Sequence, residues 1–447
     1  MSEEQIENRK SKIENHIGLA RRLGLFDATM IVMGGIIGSG IFMNPYVVAQ
    51  QVHTPFLILG AWAFGGLIAL AGAFIYAELA ERRPHTGGQY AYLREAYHPS
   101  VAFVYGWALL LVTQTGGMAA VAVTFARYFI ELTHANVSDK LVAIIALAFL
   151  TLINCLGVRA GSTFQNVLMT LKIVAIVMLV VCGFVLSNKA STTTNLLDRP
   201  MSFDLFTAVG AALIPVMFAY GGWQTSCFIA GELREPKRDL PRGLLIGVLG
   251  VILLYLSVNF VCIYVLGVDG LMQTKTPASE VMRLVLGDKG AKIIALGITI
   301  STLGFLSQGM LTAPRVYYAM ADDRLFFKSV AWLHPKTLVP VVAIAFQGVW
   351  AMLIAASGRY EQILNYVISV DFIFFGLSAT CIFIFRKQDE SETRFKVPLH
   401  PFTTIFFIAA CFFVVANTIY KYPANSAIGL LIMLVGIPVY FLWKKEQ

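Results

Sequence analysis

Residues 34–45 read Gly34-Gly35-Ile36-Ile37-Gly38-Ser39-Gly40-Ile41-Phe42-Met43-Asn44-Pro45. They lie in the middle of an apolar run, 25–51, and about 20 apolar residues suffice to cross a bilayer as one helix. Irregular backbone at membrane depth is tolerated only where it is buried in protein or lines a cavity. A glycine cluster in mid-span therefore marks a helix break that faces something other than lipid. A second cluster stands at 215–223, where Pro215 is followed by Phe218-Ala219-Tyr220-Gly221-Gly222-Trp223. One small-xxx-small pair would be explained by close helix packing alone, but two dense clusters in corresponding places point to a duplicated unit.

The rest of the chain supplies the spans. Of 447 residues, 57% are hydrophobic and 13% charged, and the mean hydropathy is +0.71. Twelve runs fit a membrane, at 25–51, 56–80, 98–131, 140–157, 162–187, 206–231, 241–268, 290–320, 339–357, 360–385, 402–421 and 424–443. A soluble domain, a collagen, a disulfide scaffold and a transmembrane barrel are excluded by this pattern. The clusters fall in spans 1 and 6, five spans apart, as an inverted duplication of five helices requires. An even number of spans puts both ends on one side. Alternate loops place 23 of the 34 Lys and Arg residues on that side, 10 on the other, and Lys172 inside a span. By the positive-inside rule both termini are expected in the cytoplasm. The net charge of +8 is spread over short loops and forms no stripe for nucleic acid. No signal peptide is read in the polar residues 1–24.

A broken helix exposes N–H groups at the start of one half and C=O groups at the end of the other, with half-helix dipoles adding to both. An α-amino acid needs both, donors for its carboxylate and acceptors for its ammonium, and glycine lets it reach the backbone. The two breaks thus predict a small zwitterion as ligand. The six cysteines lie in or beside spans and are read as small buried hydrophobes. The histidines fall in loops or tails, which gives no metal cluster and no triad, and no phosphate loop is present. No cofactor is expected, and no enzyme.

At this point the chain resembles a known family. Gly38-Ser39-Gly40-Ile41-Phe42, the string 218–223, the loop Gly87-Gly88-Gln89-Tyr90-Ala91-Tyr92-Leu93-Arg94-Glu95-Ala96, and Gly231-Glu232 through Pro236-Lys237-Arg238 to Pro241 are similar to the amino acid–polyamine–organocation transporters, most of all their L-type amino acid transporter branch. The resemblance covers essentially the whole chain. It implies an all-α membrane protein of the LeuT-like fold, with spans 1–5 (25–187) and 6–10 (206–385) as inverted repeats, discontinuous helices 1 and 6, spans 11 and 12 (402–443) at the periphery, and tails at 1–24 and 444–447.

The resemblance also implies roles. Gly38, Ser39, Gly40 and Ile41 would hold the substrate's carboxylate and amine, with Phe218, Ala219 and Gly221 facing it and Phe218 as outer gate. Thr225 stands where some members carry a bulkier tyrosine. Lys172 would take the place of the cation bound between spans 1, 5 and 8 in sodium-coupled relatives, tying carbonyls near Gly34 to a hydroxyl of Ser301 or Thr302. Asp371, midway along span 10, could meet a cationic side chain, carry a proton or accept structural bonds. Glu78, Glu232 and Arg315, at span ends, read as gate or loop ion pairs. Eukaryotic relatives pair with a glycoprotein through a cysteine after span 3, but the loop from Leu132 to Lys140 has none, so no disulfide-linked subunit is expected. The sequon Asn136-Val137-Ser138 in that loop is of a kind that chance often supplies.

The expectation is a multi-pass protein of the cell (inner) membrane, a sodium-independent transporter of neutral L-amino acids and an obligatory exchanger. The empty carrier would reorient slowly because the broken helices need a ligand to bridge them. Proton-coupled symport on the same fold is the alternative, and an amino acid sensor that does not transport is a remote one.

Overall fold

A computed structural model describes residues 21–133, 135–187, 203–357, 360–389 and 393–445. Of the expected tails, 21–24 and 444–445 fall within them, and His16 and His134 lie outside. The described residues are helical throughout, with one isolated bridge, Leu23 to Leu233, in place of a sheet.

Nine helices are long and apolar enough to cross a membrane among the described residues, and Leu25–Ile36 with Gly40–Val52 make a tenth span bent by 41°. The remaining two of the twelve are short. Asp139–Cys155 and Val341–Ser357 have 17 residues each, about 26 Å of helix, at the lower limit for a span. They are spans 4 and 9, mates under a five-span repeat, and they pack on each other. Three further pairs of mates do likewise, 1 with 6, 2 with 7 and 3 with 8. An inverted repeat of five spans accounts for these four pairings.

The bundle has an apolar interior, as a soluble protein does, but its outside is apolar too, and a set of polar side chains is buried within it. Leu152, Val185, Leu253 and Leu431 face outward and exposed, while Gln165, Lys172, Asn259, Gln308 and Gln347 are buried. In lipid, buried polar groups must find partners within the protein. Gln347 of span 9 donates to the Gly309 carbonyl of span 8 at 3.0 Å, and the Trp107 indole of span 3 donates to Ile432 of span 12 at 3.0 Å.

Three features depart from a plain run of apolar helices. Span 3 (Pro99–Thr133) contains a π-helical turn, Leu109–Thr113, and just beyond it the Thr115 hydroxyl donates back to the Leu110 carbonyl within the turn. The stretch after span 2, expected as a loop, holds a buried helix, Gln89–Ala96. Gly87 and Gly88 turn into it at positive φ (94° and 45°), and a Cβ on Gly88 would meet Cys227 at 2.7 Å. It is too short to read as a span, and burial against spans 3 and 10, with span 6 at its start, is what holds it helical. Spans 7 and 8 begin or end in short helices kinked at Gly267 and Gly287.

Candidate functional site

Span 1 stops at Ile36, Ile37 is extended (φ −76°, ψ 94°), and the second half starts at Gly40. Span 6 stops at Tyr220, and after Gly221 and Gly222 it resumes as a 3-10 helix, Trp223–Glu232. The two breaks touch. A Cβ on Gly222, whose φ is +103°, would lie 2.0 Å from the Gly35 carbonyl oxygen, and one on Gly40 would lie 3.0 Å from Ala219. Only glycine lets the two backbones cross so closely at a left-handed φ.

Each carbonyl at the first break has a partner from a different span. The Ile36 carbonyl is 3.0 Å from the Tyr255 hydroxyl of span 7, the Lys172 ammonium of span 5 donates to Ile37, and Ser301 of span 8 donates to Gly38 at 3.4 Å. Tyr255 also lies 3.1 Å from the Ala219 carbonyl of span 6. Its single proton serves one carbonyl at a time, so this hydroxyl joins the two breaks. Lys172 is fully buried, with its Nζ 3.4 Å from where a Cβ on Gly304 of span 8 would sit. It reaches Ile37 rather than the carbonyls near Gly34. A Cβ on Gly34 would face Gln165 at 2.2 Å. Thr302 bonds carbonyls of its own helix, Ile298 and Thr299, and does not reach span 1.

Between the breaks lies a cavity of about 80 Å³, room on the order of six water molecules and so for a small amino acid. Gly38, Ser39, Gly40, Phe218, Ala219, Gly221, Thr225 and Asp371 all line it. Ile41 does not; it is buried in the core beside the break. The first-turn N–H groups at Gly40 and Ile41 have no acceptor within their helix, which leaves donors at the cavity's edge. The Thr225 hydroxyl is engaged, donating to the Gly222 carbonyl at 2.6 Å and accepting from Gln308. A Cβ on Gly38 would press on the Phe305 ring at 3.2 Å, whereas one on Gly221 meets nothing closer than two carbonyls at 3.5 Å.

Several lining residues escaped the sequence reading. Thr113 from the π-helical turn, Gln114 and Gly117 of span 3, and Phe305 and Gln308 of span 8 complete the wall. A Cβ on Gly117 would point into open space. The signal available was the clustering of polar residues within apolar spans, Thr113-Gln114-Thr115 and Ser307-Gln308. π-helical turns recur at functional sites, but this one shows only in the backbone.

The face that carries the chain ends is closed by charge. Glu232 and Arg315 pair at 2.7 Å, both 1% exposed, joining spans 6 and 8. Glu78 holds Arg82 and Arg386 at 2.8 and 2.6 Å, and Asp389 bridges Arg82 and Arg83 at 3.1 and 2.9 Å, joining spans 2 and 10. Glu81 accepts from the N–H groups of Arg394 and Phe395 at 2.7 and 2.9 Å. Hydrogen bonds from Arg83 and then Arg82 hold the Asp389 carboxyl below the usual carboxylate range.

A cavity between the free ends of two broken helices, inside a bundle of membrane-length apolar spans, is the arrangement of a carrier of small solutes. Residues 23–443 match the amino acid permease family. The chain is 31% identical over 436 residues to the serine/threonine exchanger SteT of Bacillus subtilis (strain 168), covering 96% of this chain and 98% of that one. It is 30% identical to the b(0,+)-type amino acid transporter 1 of Mus musculus (95% and 88%), and 28% to the large neutral amino acids transporter small subunit 2 of Homo sapiens (96% and 82%). The chain belongs to the amino acid permease family, in the L-type branch of the amino acid–polyamine–organocation superfamily. It is a multi-pass membrane transporter of amino acids with the LeuT-like fold, and not an enzyme.

Proposed function

We propose that this protein exchanges small neutral L-amino acids across the cell membrane by alternating access, without sodium and with both termini in the cytoplasm. The observation that carries the reading is the cavity at the crossing of the two breaks, with helix-start N–H groups of span 1 at its edge and Gly221 and Gly222 of the span 6 break in its wall. Its size and the hydroxyl and amide groups of Thr113, Gln114 and Gln308 favour a short, polar side chain, in keeping with the serine/threonine exchange named for the Bacillus relative. The Lys172 ammonium against the Ile37 carbonyl stands where a cation would otherwise be needed, and like-charge repulsion disfavours sodium beside it. In this reading Ser39, Gly40 and the neighbouring backbone hold the carboxylate and amine, and Phe218 is the outer gate. Ile41 contributes its N–H alone. The excess of basic residues on the side of the chain ends supports the orientation, and the cysteine-free loop after span 3 supports function without a disulfide-linked subunit.

Exchange predicts that radiolabelled serine or threonine enters proteoliposomes preloaded with amino acid at least tenfold faster than empty ones, equally in Na⁺ and in choline. Equal uptake into empty and preloaded vesicles would refute obligatory exchange. Proton-coupled symport is the second reading, favoured by the Asp371 carboxyl in the cavity wall, which makes no ion pair among the described residues. It requires net uptake into empty vesicles that rises with an inward proton gradient and is lost in Asp371→Asn.

A further inference from the structure

A second cavity, of about 350 Å³, opens on the face opposite the chain ends. Phe218 and Ile368 line both it and the central cavity, so one aromatic ring and one branched side chain separate the two. Its mouth carries Asn44, Gln51 and Lys421. Lys421 ends span 11, is exposed, and makes no ion pair among the described residues. No acidic residue lines the cavity among the described residues. Asn44 donates its amide N–H to the Pro215 carbonyl at 2.7 Å, which fixes the side chain and leaves its amide oxygen as an acceptor. The Gln51 amide offers another acceptor.

This lining is the complement of an α-amino acid. It has one cation for the carboxylate, amide oxygens for the ammonium, and the Phe218 ring beneath for the side chain. A cavity whose charge among the described residues is one ammonium raises the local concentration of anionic groups. We propose that the outer cavity is a waiting site, where Lys421 holds the carboxylate of an incoming amino acid above the Phe218 and Ile368 barrier before it enters the central cavity. The proposal rests on the reading of the central cavity as a transport site. It adds a second, weaker binding step on one face only, so the inner face should be blind to Lys421.

The test is exchange in oriented proteoliposomes with the fastest-exchanging of L-serine, L-alanine and L-leucine, and with its carboxamide as an outside competitor that lacks the carboxylate. Lys421→Gln should raise the outer-face KM about two- to fivefold, the size of an exposed ion pair. It should leave the inner-face KM, the maximal rate and inhibition by the carboxamide unchanged, and Lys421→Arg should behave as the unaltered protein does. An unchanged outer KM in Lys421→Gln, or equal shifts on both faces, would overturn the waiting site while leaving transport intact. Failure of the unaltered protein to exchange any of the three would overturn the transport reading, and the waiting site with it.

Discussion

Lys172 is a full charge taken out of water, a cost that only good partners offset. Its ammonium donates to the Ile37 carbonyl at the end of the broken half-helix, with the Ser301 and Tyr255 hydroxyls on the carbonyls to either side. Three spans thereby hold three consecutive carbonyls of the unwound turn. Lys172→Ala leaves the middle one without its partner in a dry interior, and an unsatisfied buried polar group costs about 1–3 kcal/mol. That is enough to change the balance of inward-open and outward-open states by about tenfold. We expect a large fall in exchange with the KM altered unequally on the two faces, read in oriented proteoliposomes. Normal exchange by the alanine variant would show that Lys172 does not brace the break.

At the scale of the element, the two broken spans depend on different glycines for different reasons. Gly222 has a left-handed φ and no space for a side chain, since the Gly35 carbonyl occupies the Cβ position. Gly221 has neither constraint and borders the cavity. Left-handed backbone alone costs an alanine about 1–2 kcal/mol, and the contact with Gly35 adds to it. Gly222→Ala should therefore lower the melting temperature in detergent and the yield from membranes. Gly221→Ala should fold normally and act on substrate affinity. If both variants melted like the unaltered protein, the crossing at Gly35 and Gly222 would not be a constraint on the fold.

For the whole molecule, the two faces differ in chemistry: the Phe218 ring and Ile368 lie between the central and the outer cavity on one, and a net of carboxylates and guanidinium groups joins the spans on the other. Charge pairs between spans 2 and 10 must part if that face is to open, so their strength sets part of the barrier. The Asp389 carboxyl has its pKa lowered by Arg83 and Arg82. A lowered folded value means that its contribution is present above the ordinary aspartate range, about 3.9, and is lost only as pH falls through the lower value. The latch is thus constant from about pH 5 to 8. Asp389→Asn should change exchange by the same factor at about pH 5 and about pH 8, and a factor that vanishes at the lower pH would contradict the pairing. Any pH dependence in that range must come from another group.

Spans and breaks were legible in the amino-acid sequence because they are local properties. Twenty apolar residues form a membrane helix wherever they occur, and a run such as Gly38-Ser39-Gly40 interrupts one by its own backbone freedom. The neighbours of a side chain across a helix interface are not local. That Lys172 meets Ile37 and not a carbonyl near Gly34, that Thr302 turns to its own helix while Ser301 turns to Gly38, and that Ile41 points into the core depend on how spans 1, 5, 7 and 8 are rotated about their axes. A rotation of one residue, about 100°, would exchange Ser301 for Thr302. Thr113, Gln114 and Gln308 enter the cavity wall for the same reason: only the packing of spans 3 and 8 against the two breaks selects, among the polar residues of those spans, the few that line the cavity.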